Sequence, residues 1–322
     1  DKKSIHLMIG RLLLSTTPKS EGEEHIFEIV HQLNAGRDLL GQQEEKHQLA
    51  SLNLQAAVKA RTSAAIEAHR VYVFIAKELV REVSWSLHHA LLHTLYMELI
   101  YEAYGRADYM EMERLCQIVC DNSASPADAI AAKGMLIRCY GALFKPKELL
   151  KTGIDSAVLA GIVIPANVND WHIRLARFRL ELELRGRDPL ELLDFPPVVD
   201  PQYLLQLQAT WPFLGYGTTY LGGSKVVLWL ALEMARKSLR FGVSPFCAYA
   251  YSGIARMYLG KLERPQLGYQ FGKLSADLGV RGYLLAASAI FNGSMSHRFQ
   301  HLRSSLQPLF DAYASAMEVG DR

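Results

Sequence analysis

The chain has 322 residues, half of them hydrophobic, with 35 basic against 33 acidic side chains and a formal net charge of +2. That balance excludes the strongly basic surface expected of a nucleic-acid-binding domain, and no apolar run approaches the roughly 20 residues needed to cross a bilayer. The four cysteines, Cys116, Cys120, Cys139 and Cys247, lack the spacing of a disulfide-stapled secreted domain, which predicts a reducing, cytoplasmic setting.

From the N-terminus, residues 5–14 predict a short apolar helix stopped by Ser-Thr-Thr-Pro. Residues 23–40 predict a second helix, acidic at its start where the helix dipole favours negative charge. Residues 44–61 and 64–80 form the next pair, with Leu49, Leu52, Ala56, Ala57 and Ala60 on one face. The stretch 84–162 predicts four more helices. Leu92, Leu95, Tyr96, Leu99 and Ala103 recur at three- and four-residue steps, and after a short polar turn Tyr109, Met112, Leu115, Cys116 and Val119 resume the period. A single helical hairpin cannot bury both apolar faces, whereas stacked hairpins can. Aligning second helices on Ile66, Tyr109 and Lys147 gives spacings of 43 and 38 residues, above the roughly 34 of a standard tetratricopeptide unit.

Beyond residue 162, residues 171–187 predict one helix rich in Arg and Leu. DPLELLDFPPVVDPQ, with its four prolines, predicts the main internal boundary. Residues 203–211 predict a helix, 212–224 a glycine-rich connection, and 225–241 a helix ended by Gly242. Two hairpins follow, 245–259 with 266–278 and 283–295 with 302–319. No alternating strand pattern is present. The predicted fold is all-α, antiparallel hairpins stacked as a tetratricopeptide-like solenoid in two lobes, residues 1–195 and 196–322.

The segments LNLQAAVKA, AGIVIP, LLDFPPVVDPQ, KSLRFGVSPFCAYAYSGI, GYQFGKLSADL and SHRFQHLRSSLQPLFDAYASAMEVGD give the chain a resemblance along its whole length. It resembles the helical region that follows the P-loop ATPase module in multidomain signalling proteins. In those, a serine/threonine-kinase-like domain and the ATPase precede the region, and GAF or PAS sensors and a histidine kinase follow it. His297 matches the family's final helical pair, while Arg298 stands where tryptophan is frequent. The resemblance implies a non-catalytic scaffold within a phosphorelay protein, with the flanking kinase, ATPase and sensor domains as partners and no cofactor. It carries over no catalytic residue. The alternative is the ligand- or partner-sensing arm of an ATPase-type transcription activator. The opening DKKSIHLMIGRLLL and the closing AYASAMEVGDR predict a piece excised from a longer polypeptide.

Candidate chemistry is sparse. GTTYLGGS at 217–224 mimics a P-loop, but Gly223 stands where the phosphate-binding lysine must be, so nucleotide binding is rejected. His89/His93 and Cys116/Cys120 have the four-residue spacing of metal ligands, yet Cys116 falls on an apolar stripe and reads as a small buried hydrophobe. His88, His89 and His93 then read as solvated. Glu98, Glu102, Asp108, Glu111 and Glu113 read as a helix–turn surface. Arg174, Arg177, Arg185 and Arg187 could meet an acidic domain or a phosphate, although Glu181 and Glu183 among them predict a salt-bridged face. Tyr249, Tyr251, Tyr258, Tyr269, Phe271 and Tyr283 predict an aromatic core at helix crossings rather than a ligand groove. The expected interaction surface comprises Arg174, Arg177, Tyr249, Tyr269 and His297.

Overall fold

The computed structural model describes residues 1–18, 22–81, 83–260, 264–282 and 284–318. Among them are fifteen α-helices, several short 3-10 turns and no β-strand. Their contacts group Asp1–Ala124 and Ser125–Arg322 as two compact units.

The first unit contains α1 (Lys2–Thr16), α2 (Gly22–Ala35), α3 (Gln43–Thr62), α4 (Ile66–Leu79), α5 (Trp85–Gly105) and α6 (Tyr109–Asp121). Each helix packs most extensively on its hairpin mate, α1 with α2, α3 with α4, α5 with α6. Alanines 56, 57 and 60 of α3 are fully buried, and their small size lets neighbouring helices approach closely. One polar pair is reciprocal: the amides of half-buried Asn34 and buried Asn53 each donate to the other at 2.9 Å.

The second unit contains α7 (Pro126–Ala142), α8 (Pro146–Leu159), α9 (Asp170–Leu184), α10 (Pro201–Tyr220), α11 (Lys225–Phe241), α12 (Ala248–Gly260), α13 (Pro265–Arg281), α14 (Leu285–Ser294) and α15 (Leu306–Glu318). Its core centres on α12, where Tyr251 and Tyr258 are fully buried and stack on Phe271 of α13. The hydroxyls of the buried tyrosines Tyr251, Tyr258 and Tyr203 each find a partner, as desolvation requires. Tyr251 Oη lies 2.5 Å from Ser238 Oγ, and Tyr203 donates to the Met234 carbonyl at 2.8 Å.

The hairpin turns share one chemistry. Ala64, Ala107 and Phe144 all have positive φ, and the amide of the next residue reaches back to the carbonyls of Ala60, Ala103 and Tyr140. The same bond closes α8, with Gly161 at the left-handed position and Ile162 bonded to Ala157. This is the six-to-one closure of a Schellman cap, which satisfies orphan carbonyls at a helix end. The following helices begin at Ile66, Tyr109 and Pro146, 43 and 37 residues apart, so the repeat read from apolar spacing is also a repeat of turn geometry.

Several expectations need correction. Residues 212–220 are not a connection but the second half of α10, with Pro212 inside the helix. The glycines there and opposite serve close packing: a methyl group at Gly153 would overlap the Phe213 ring, and one at Gly141 the Tyr216 ring. Only residues 221–224 form the turn, with Gly223 at φ 90°. The boundary expected at 195/196 falls inside the second unit. Leu192 and Tyr203 share its core, Phe195 packs against it, and Pro196 accepts the Val243 amide at 2.9 Å. Tyr283 and residues 319–321 of the last motif lie outside the described residues.

Candidate functional site

The outer face of α9 is built from both ends of the helix inward. Asn169 caps the start, its side-chain oxygen accepting the Trp171 and His172 amides at 3.1 and 3.3 Å. His172 Nδ1 returns the favour to the Asn169 amide, completing a capping box. The last turn closes through Arg185, held in the left-handed region at φ 52°. Between them, Ala176, Leu180 and Leu184 are buried in the core of the second unit, where α9 packs against α11.

A helix turning 100° per residue then points Trp171, Phe178 and Leu182 directly away from that core. They are 67%, 60% and 62% exposed. Arg174 and Arg185 flank this ridge on one side and Arg179 on the other, and all three are exposed.

The carboxylates of α9 turn elsewhere. Tyr258 donates to Glu181 at 2.7 Å, and the guanidinium groups of Arg264 and Arg177 lie 3.5 and 3.8 Å from it. Burial, and then this carboxylate, push the Tyr258 hydroxyl above its ordinary range, so it stays a donor. Glu183 pairs with Arg236 at 3.0 Å and Asp170 with Lys225 at 3.2 Å. Among the described residues Arg174, Arg179, Arg185 and Arg187 have no ion pair and no hydrogen bond through their side chains. The mixed-charge helix of the sequence is therefore segregated: its acids are engaged with α11, α12 and the start of α13, and its arginines other than Arg177 face outward.

The expected surface residues do not converge. Arg174 lies on the outer flank of α9, while Arg177 turns toward Glu181 and is half-buried. Tyr249 is buried, its ring 5.9 Å from that of Trp211. Tyr269 is half-buried against Phe291 and Phe299 and borders a hollow of about 430 Å³ between α13, α14 and α15. His297 is exposed in a 3-10 turn. The ridge residues Trp171, Phe178 and Leu182 were missed by sequence reasoning. Their signal was a second apolar stripe on the side of α9 opposite Ala176, Leu180 and Leu184.

The first unit offers a groove of about 1270 Å³ with α3 as its floor, lined by Gln48, Ser51, Leu54, Gln55, Val58 and others, with Ala90, Leu91 and Thr94 of α5 along one wall. Further along α5, Glu98 and Glu102 are buried, 3% and 6% exposed, which corrects the surface expected of them. Glu98 accepts two bonds from Arg61 at 2.9 and 3.0 Å and lies 3.0 Å from His69 Nε2. Burial alone would raise the Glu98 pKa, but the His69 and Arg61 hydrogen bonds outweigh it and hold the carboxyl below its ordinary range. Glu102 pairs with Arg106 at 2.7 Å.

His88, His89 and His93 are half-buried rather than solvated. His88 packs edge-on against His47, and His89 Nε2 lies 3.0 Å from the Asn122 carbonyl. Cys116 is fully buried. Among the described residues no three His, Cys, Asp or Glu side chains are grouped to hold a metal ion, and no helix is long and apolar enough to cross a membrane.

Comparison with known proteins gives one informative match. The chain aligns along its whole length with hybrid signal transduction histidine kinase G of Dictyostelium discoideum, 21% identical over 370 aligned positions, and spans 11% of that protein. No family model matches the chain, and no solved structure does. The chain is thus distantly similar, from end to end, to one part of a large signal-transduction protein.

Proposed function

We propose that the chain is a non-catalytic, partner-holding helical region of a multidomain signal-transduction polypeptide. In this reading its hairpins stack within each unit in the tetratricopeptide-like manner of a solenoid, in a cytoplasmic setting. Its contacts are with the kinase, ATPase and sensor domains of the same polypeptide. The observation that carries the reading is the end-to-end similarity to a stretch making up 11% of a hybrid histidine kinase. The repeated hairpin turn supports it, because serial hairpins present long lateral surfaces. So do the segregated charges and exposed ridge of α9, the composition of a contact surface rather than of a reaction site.

Small shifts between neighbouring hairpins change the spacing of whatever the two ends hold, which couples a partner on the surface to the domains beyond it. The test is phosphotransfer by the polypeptide that carries this chain, with the chain intact and with it replaced by a flexible linker of equal reach. The expected result is that basal autophosphorylation persists while its response to signal is lost. A response unchanged by the replacement overturns the reading, and so does loss of the basal chemistry itself.

A further inference from the structure

We infer that the outer face of α9 is a docking surface for an acidic amphipathic helix of a partner domain. The inference deepens the partner-holding reading and rests on it. Three observations bear on the occupant. The ridge of Trp171, Phe178 and Leu182 spans twelve residues of helix, 171–182, about 17 Å from first to last, which matches roughly three turns of a helix laid along it. Arg174 and Arg185 on one flank and Arg179 on the other have no partner among the described residues. The helix's own carboxylates are committed to Lys225, Tyr258, Arg264 and Arg236 and do not neutralise them. A surface with an apolar centre and an unneutralised basic rim on both sides calls for the converse, an apolar stripe flanked by carboxylates.

The residue types favour a protein over a bilayer. α9 carries four arginines, Arg174, Arg177, Arg179 and the capping Arg185, and no lysine. The planar guanidinium binds carboxylate in a two-pronged geometry, and Arg, Trp and Phe are the types enriched at protein interfaces where Lys is depleted. The left-handed conformation of Arg185 adds to this. Glycine would sit there with less strain, yet the chain places an arginine at the end of the ridge.

The test uses the full chain and the fluorescence of Trp171, with Trp171→Phe identifying its share of the emission. The probes are a synthetic helical peptide of about five turns, with a leucine ridge flanked by glutamates, and its counterpart with lysine in place of every glutamate. Vesicles of phosphatidylcholine, alone and with phosphatidylserine, form the third arm. The expected result is a blue shift of Trp171 with the acidic peptide at a Kd on the order of 10 μM, weakened about tenfold or more by Arg174→Glu combined with Arg185→Glu. No shift is expected with the basic peptide or either vesicle. The reversed variant should melt as the parent does, since its side chains are exposed and unpaired. Equal binding of both peptides, binding of neither, or a shift with phosphatidylserine vesicles alone overturns the inference. A failure here with signal response still dependent on the chain would remove this face and leave the partner-holding reading standing.

Discussion

Glu98 shows what a single buried carboxylate does for the first unit. With Arg61 and His69 both bonded to it, it is charged and satisfied; without it, two cationic-capable groups face a void. Glu98→Ala is expected to cost about 3–5 kcal/mol in urea unfolding, the range for breaking a buried ion pair. The pH dependence follows from the direction of its shift. A carboxyl depressed in the folded state contributes stability that is fully present above the ordinary value of 4.5 and is lost as pH falls through the lower folded value. Stability of the parent should therefore fall on acidification below pH 4.5, and Glu98→Gln should flatten that limb; a limb of unchanged slope would assign the acid sensitivity to other groups. Burial pushes the Cys247 thiol up to about 11, so it should resist alkylation in the folded protein and react only on unfolding. The burial of Glu98 was not legible in the sequence because its partners lie 29 and 37 residues away. In linear order it sits beside Glu102, Asp108 and Glu111 and reads as one more charge near a turn.

At the level of elements, the helices were legible wherever their ends carry local chemistry. The Ser-Thr-Thr-Pro run ends α1 and Gly242 ends α11; each signal acts within a few residues of the boundary it marks. The second half of α10 was not legible for the opposite reason. Pro212, Gly215 and Gly217 are helix breakers by propensity, and what overrides them is packing of Phe213 and Tyr216 against glycines of α8 and α7. Gly153→Ala should therefore destabilise the chain by about 1–3 kcal/mol, the cost of overpacking, although alanine is the better helix former. A neutral or stabilising result would refute the close-packing explanation. The repeated turn gives the reverse expectation. Ala107 holds a left-handed backbone, so Ala107→Gly should stabilise by a few tenths to about 1 kcal/mol in thermal or urea unfolding, which a loss of stability would contradict. The two-sided apolar pattern of α9 gave no hint of which side would be covered: Ile173, Ala176 and Leu180 look no more core-forming in sequence than Trp171, Phe178 and Leu182.

Across the whole molecule, helical hairpins supply both the core and the surfaces, and the all-α class was readable from periodicity alone. The division between units was not readable, because the proline-rich stretch 188–202 looks like a linker. Its Leu192 lies in the second unit's core and its Phe195 packs against it. Prolines end helices, but they do not decide whether the segment they populate is packed. The account holds that these surfaces exist to be covered by neighbouring domains. Hydroxyl-radical footprinting tests that most directly, since it reads side-chain exposure at Trp171, Phe178 and Leu182 in the chain alone and within a longer polypeptide that joins it to the proposed kinase, ATPase and sensor domains. The account predicts that oxidation of these three falls several-fold in the longer polypeptide while exposed Met110 of the first unit is unchanged; equal oxidation of the ridge in both would contradict it.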